Sequence, residues 1–181
     1  MNTENSFQAE IDKNPMEYNI FHFASKELSH SAFWAWILRC SDARDPYLAG
    51  PRRIADRLIK EIKATPPKSP ITVTREFPIK IGKTGGRLDV CVEVEVKGKK
   101  EIVIVIENKV KAIPYEKQIQ DYRQAVGEKA VIALISTSFD EDMKGRMPCF
   151  HLGVAELLEI IRPDKDSHPF LKDYFLWLQN E

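Results

Sequence analysis

Three cysteines in 181 residues, at positions 40, 91 and 149, are too few and too scattered for a disulfide framework or a zinc-binding spacing. That suits a reducing compartment, and the cytoplasm is the expected location. No apolar run approaches membrane-spanning length, and the N-terminal stretch is polar and acidic, unlike a signal peptide. Internal repeats and low-complexity tracts are absent too, so 1–181 reads as one domain with enough residues to bury a core. Net charge is also lacking, with 27 Lys and Arg against 27 Asp and Glu; alone, this speaks against a polyanionic ligand. The distribution reverses the inference. Residues 51–129 hold 18 basic side chains against 11 acidic, and the remainder 9 against 16. A polyanion can therefore be drawn to one face while the average stays neutral.

What is present is a strand, a lysine-rich turn and a second strand: Gly86 to Val96, Lys97 to Lys100, then Glu101 to Lys109. Ile102 to Ile106 is apolar without a break, as in a strand buried on both faces. The run ends in Glu107 and Lys109, which share a face because strand side chains alternate. Burying charge is costly, so a buried strand that delivers a carboxylate and an amine together needs a chemical reason. A three-residue turn over Lys97 to Lys99 places Asp89 directly opposite Glu107, with Cβ atoms roughly 5 Å apart. A two-residue turn at Gly98-Lys99 instead pairs Val90 with Glu107 and sends Asp89 to the other face. The first register is the expected one. Two carboxylates so close repel unless a cation or proton joins them, and a few hard oxygen ligands suit Mg²⁺ or Mn²⁺ with several waters retained.

Acid-x-Lys also occurs at Glu61-Ile62-Lys63, Glu95-Val96-Lys97 and Asp142-Met143-Lys144. Only Glu107 ends a buried strand with an upstream Asp on an adjoining one. Asp89, the run to Glu107-Asn108-Lys109 and the following Gln118-Ile119-Gln120-Asp121-Tyr122 resemble the PD-(D/E)xK nuclease superfamily. The Gln-x-x-x-Tyr pair is similar to its RecB-like branch. The segment from Lys26 to Leu38 resembles the first helix of a poorly characterised, mostly bacterial subfamily. Together these stretches span about residues 23 to 136. One position departs from the pattern: Leu88, not Pro, precedes Asp89, and the literal Pro163-Asp164 follows Glu107 in the wrong order.

The resemblance implies a restriction-endonuclease-like α/β fold, with an α-β-β-β-α-β core, a mixed central sheet flanked by helices, and extra C-terminal helices. It implies a metal-dependent nuclease acting on DNA, in repair, restriction or phage defence. Asp89 and Glu107 would be metal ligands, with the backbone carbonyl of Asn108 a further one. Lys109 would orient or help deprotonate the attacking water. Glu27 would be the acidic residue brought from the first helix. Gln118 and Tyr122, one helical turn apart, would contact the phosphate or steady Lys109, and Lys111 would join them in binding substrate. The metal polarises the phosphoryl oxygen and makes hydroxide available near neutral pH.

Each residue also has a structural reading. Glu27 follows Ser25, a good N-cap, where an acid favours the helix dipole. Gln118 and Tyr122 fit an amphipathic helix, and Lys109 fits a snorkelling strand-end lysine. Cys91 shares a face with Asp89, Glu93 and Glu95 but has no partner at metal spacing. His30 reads as a packing residue rather than a general base. Two other functional classes compete with the enzyme: a binding module that kept the fold and gave up hydrolysis, and a partner-dependent subunit. The intact Asp89, Glu107 and Lys109 favour the enzyme.

The pattern predicts a loose segment over 1–20 and a helix from Lys26 to Arg39, with Leu28, Ala32, Phe33, Trp36, Ile37 and Cys40 as its apolar stripe. A second helix is expected over Pro51 to Lys63, then a proline-rich connector from Thr65 to Pro70. Strands are expected at Ile71 to Ile81, Arg87 to Val96 and Glu101 to Glu107, the first two meeting at a Gly85-Gly86 turn. Pro114 opens a helix to about Val126, and Ala130 to Ser136 reads as a buried strand reached by a crossover, hence parallel to its neighbour. Helices from Leu152 to Ile161 and from Phe170 to Gln179 complete the 150–181 segment. The last is too apolar for a free end, so it is expected to dock on the core or on a partner, either a second copy or a larger protein.

Overall fold

Among the described residues, five strands lie side by side in chain order: β1 (Ile71–Ile81), β2 (Thr84–Val96), β3 (Lys99–Lys109), β4 (Val131–Ser136) and β5 (Phe150–Leu152). The first three are antiparallel, whereas β4 and β5 run parallel to β3. Helices α1 (Glu27–Arg39) and α2 (Ala49–Glu61) precede the sheet, α3 (Glu116–Val126) connects β3 to β4, and α4 (Val154–Ile161) and α5 (Pro169–Leu178) follow it. The expected α-β-β-β-α-β order is therefore present, with, among the described residues, one helix added before β1 and one strand and two helices after β4. This computed structural model describes residues 21, 27–42, 45–67, 70–81, 84–110, 116–138, 145, 147–164 and 167–181. The expectations for 1–20, Lys26, Lys111 and Pro114 lie outside them.

Alternation along the central strands builds two cores. Ile104 and Ile106 of β3, with Ala133 and Ile135 of β4, face a large cluster closed by α1, α2, α4 and α5. Val105, Ile132 and Leu134 face the opposite side, where Ile119 and Tyr122 of α3 and Met147 cover them. Strands β3 and β4 are buried on both faces, which is why Ile102 to Ile106 and Val131 to Ile135 are continuous apolar runs. Among the described residues, no helix is long and apolar enough to cross a membrane.

The terminal helix docks on the core. Leu171, Tyr174, Trp177 and Leu178 are buried, and the Tyr174 ring stacks on Phe33 of α1 with centroids 3.8 Å apart. This contact corrects the expected stripe on α1. The buried residues are His30, Ser31, Phe33, Trp34, Ile37 and Leu38, while Leu28 is 50% exposed and Ala32 and Trp36 are half-buried. Apolar side chains surround most of the helix, so periodicity alone misplaces the buried stripe.

The β1–β2 hairpin also departs from expectation. Ile81 pairs with Thr84, so Gly85 and Gly86 lie inside β2, opposite Lys80 and Ile79. Gly86 marks a close approach rather than the turn: a Cβ there would stand 2.6 Å from Ile81 Cδ1. Strand β5 was not expected, because three residues carry too little pattern to register.

The β2–β3 hairpin makes neither of the two expected turns, although near the site it reaches the first expected register. Its turn is Lys97-Gly98, with Val96 paired to Lys99. Positive φ values of 52° and 76° at these residues are those of a tight two-residue hairpin turn. Continued regularly, this pairing would place Glu107 across from Leu88. The register shifts once, however. Glu93 pairs with Ile102 and Val92 with Ile104, leaving Val103 as an extra residue on β3. Beyond this bulge Val90 pairs with Ile106, and the next step brings Asp89 opposite Glu107.

Candidate active site

Asp89 and Glu107 meet where the β2–β3 ladder ends. Asp89 is half-buried and Glu107 is 1% exposed. The Asn108 backbone N–H donates to Asp89 Oδ2 at 2.8 Å, so the strand that carries Glu107 also fixes the Asp89 carboxylate. Burial pushes the Asp89 carboxyl above its ordinary pKa; the Asn108 N–H and Lys109 act against this, and the charges of Glu27 and Glu76 reinforce it. Burial, with the neighbouring Asp89 charge, raises Glu107 to about 7.

The two oxygens of Glu107 are treated differently. Oε1 accepts from Gln118 Nε2 at 2.8 Å and lies 2.6 Å from Lys109 Nζ. Oε2 is buried and has no hydrogen-bond partner among the described residues. The Tyr122 hydroxyl lies near this carboxylate but gives its one proton to the Arg87 carbonyl. A buried oxygen left so costs free energy unless something else engages it. Burial works against charge on Lys109, but the Glu107 carboxylate outweighs it and holds the ammonium above its usual pKa. Lys109 therefore stands charged beside the carboxylates.

Gln118 and Tyr122 come from the turns of α3 that face β2 and β3. Gln118 Nε2 also reaches the Tyr122 hydroxyl at 2.7 Å, and that hydroxyl donates its one proton to the Arg87 carbonyl at 2.9 Å. Their polar contacts run to Glu107 and the β2 backbone. Burial, with the nearby Glu107 charge, raises the Tyr122 hydroxyl well above its ordinary pKa, which keeps it neutral and a donor.

Glu27 opens α1, and its carbonyl accepts from Ser31 Oγ at 2.9 Å and from Asn108 Nδ2 at 3.4 Å. Asn108 is thus a clasp, with its N–H on Asp89 and its side chain on the helix that carries Glu27. The structure brings Asp89, Glu107, Asn108, Lys109, Glu27, Gln118 and Tyr122 to one neighbourhood; Lys111 and the Ser25 cap lie outside the described residues.

Two residues sit elsewhere. His30 is fully buried against Phe21, Tyr174 and Trp177, with the Trp177 ring centroid 4.1 Å away. Burial lowers its pKa to about 4, so it packs as a neutral ring. Cys91 does not share a polar face with Asp89. It packs with Leu88 and Val105, and burial pushes its thiol up to about 12. The sequence pattern marks neither Glu76 nor the Arg87 carbonyl. A main-chain acceptor has no residue signature, and Glu76 shows only as one acid in a polar stretch of β1.

Among the described residues, no three His, Cys, Asp or Glu side chains gather closely enough to hold a metal by themselves. Two carboxylates with an unsatisfied oxygen still suit a hard cation that keeps most of its water, as Mg²⁺ does. Two cavities lie on other parts of the described structure. One of about 510 Å³ is lined by Arg57, Lys60 and Glu159, and one of about 450 Å³ by Phe33, Trp36 and Phe170.

A sequence model of the PD-(D/E)XK nuclease superfamily matches residues 18–139. No curated protein and no solved structure matches the chain significantly. Nucleases of this superfamily generally use divalent metals and act on nucleic acid. The matched stretch runs from α1 through β4, more than half of the chain, and the mixed five-stranded sheet of the whole fold, with its flanking helices, is consistent with the restriction-endonuclease-like fold. The chain belongs to the PD-(D/E)XK nuclease superfamily, and nuclease hydrolysis is the activity that membership points to.

Proposed function

We propose that the protein is a Mg²⁺- or Mn²⁺-dependent deoxyribonuclease of the RecB-like branch, acting in the cytoplasm as one domain in repair, restriction or phage defence. The observation that carries this reading is the unpartnered Oε2 of Glu107, buried across from an Asp89 carboxylate held by the Asn108 N–H. Asp89, Glu107 and the Asn108 carbonyl would hold the cation, with Glu27 acting from α1. When bound, the cation supplies Lewis acidity toward the phosphoryl oxygen and lowers the pKa of water.

The chain's own groups do the positioning. Lys109, charged and anchored on Glu107, presents its remaining N–H donors to the attacking water and to the phosphate oxygens. Gln118 and Tyr122 hold the Glu107 carboxylate in one orientation, and Lys111 completes the phosphate contacts. The basic excess in residues 51–129 supports attraction of a polyanion to this part of the molecule.

The test is cleavage of linear, circular, single-stranded and branched DNA, and of RNA, with Mg²⁺, Mn²⁺ or EDTA, alongside Asp89→Asn. The expected result is metal-dependent cutting of DNA that the substitution abolishes. Salt-sensitive binding with no cutting under any metal would overturn the enzyme in favour of a binding module. Cutting of RNA alone would overturn the substrate.

A further inference from the structure

Strand β1 buries Ile71 and Val73 against one core, yet Phe77, Ile79 and Ile81 pack on the other. All five positions are odd, so a regular strand would keep them on one face. The strand must turn over between Val73 and Phe77, and Glu76 in that interval has φ 52°. Three described non-glycine residues have positive φ. Lys63 follows the end of α2 and Lys97 forms a hairpin turn, whereas Glu76 stands in mid-strand. Such a conformation costs roughly 1–2 kcal/mol for a residue with a Cβ, a cost that glycine avoids.

The facing strand turns over at the same level. Leu88 and Cys91 share one core while Val90 and Val92 share the other, so β2 reverses at Asp89. Arg75 pairs with Val90 and Phe77 with Leu88, which brackets Glu76 and Asp89 as opposite residues. A strained glutamate is thus set against the aspartate of the site. Its ion pair with Arg87, at 3.5 Å and with the Arg87 side chain 70% exposed, is too weak to explain the strain.

We propose that Glu76 is a cation-site carboxylate acting through water, accepting hydrogen bonds from the hydration shell of an ion held by Asp89 and Glu107. This rests on the metal-dependent reading above. The independent sign of a ligand is again Glu107 Oε2, buried and unpartnered across from Asp89. Because no third acidic side chain among the described residues reaches the pair directly, an ion there keeps several waters, and those waters need acceptors. Turning β1 over at Glu76 puts an acceptor opposite Asp89.

The test is calorimetric titration of the full chain with Mn²⁺, without nucleic acid, together with melting temperatures in EDTA. Glu76→Gln should weaken Mn²⁺ binding by about tenfold, the low end for losing an outer-shell partner, and Asp89→Asn should abolish it. Glu76→Gly, which relieves the positive φ, should weaken binding as much while melting no lower than wild type. Arg87→Met should leave binding unchanged. If Asp89→Asn abolishes binding and both Glu76 variants bind like wild type, the inference fails while the metal site stands. It also fails if Arg87→Met matches the Glu76 variants, or if Glu76→Gly melts several degrees lower. If Asp89→Asn itself still binds Mn²⁺, the metal reading fails.

Discussion

Lys109 Nζ lies 2.6 Å from the same Glu107 oxygen that Gln118 holds, so the amine and the carboxylate of the Glu-x-Lys element are a bonded pair. The pair holds the lysine's proton, so in the proposed mechanism Lys109 would act as a donor rather than as a base. Lys109→Ala should lower kcat by at least about 10²-fold, the scale of losing a group that stabilises developing charge. Asp89→Asn should abolish cleavage, and because it removes one of two repelling carboxylates it should melt no lower than wild type in EDTA. Steady-state cleavage with melting curves checks both. A Lys109→Ala protein that cuts at the wild-type rate sinks the mechanism.

The pH dependence follows from Glu107. Its folded pKa, about 7, lies above the ordinary 4.5, so the folded state holds a proton that the unfolded state releases. Stability is therefore favoured below about pH 4.5 and lost as pH rises through about 7. Without metal, the melting temperature should be several degrees lower at pH 8 than at pH 5.5, given about 2–4 °C per kcal/mol in a chain of this size. Millimolar Mg²⁺ should restore it at pH 8. A flat profile in EDTA would show that Glu107 is not held protonated.

Tyr122 and Gln118 act on Glu107 rather than on solvent. Tyr122→Phe removes the bond to the Arg87 carbonyl and the acceptor for Gln118 Nε2, and should cost about 1 kcal/mol in stability. Cleavage should fall by roughly tenfold, the low end for loss of an outer-shell contact, with KM for DNA unchanged. A rise in KM at constant kcat would place the tyrosine on the substrate instead.

The aromatic core separates two neighbouring tryptophans. Trp34 is fully buried and Trp36 only half-buried at the edge of the 450 Å³ cavity. Trp34→Ala should cost about 3–5 kcal/mol and Trp36→Ala markedly less. Chemical denaturation of both variants tests the order.

The chemistry-bearing residues were legible because their signals are local: an apolar run ending in Glu107 and Lys109, and a helical turn spacing Gln118 from Tyr122. The facing of Asp89 and Glu107 was expected from a three-residue turn. The structure reaches it with a two-residue turn and a bulge at Val103. Apolar residues fill both faces from Ile102 to Ile106, so either parity of the strand buries well and the sequence holds no mark of the extra residue. Helix α1 was ambiguous for the same reason, since Phe33, Trp34, Trp36, Ile37 and Leu38 leave no bare polar side. The reversal at Glu76 escaped because a positive φ at a residue other than glycine or asparagine has no compositional signal.

The stacking of Tyr174 on Phe33 joins the two ends of the described chain. The family match stops at residue 139, yet α1, which carries Glu27, rests its aromatic side on Tyr174 and Trp177. Trimmed to the matched stretch, the protein would keep every proposed active-site residue and lose the splint that seats one of them. In this chain the seat of α1 therefore lies beyond the matched stretch, on a helix that carries none of the proposed site residues.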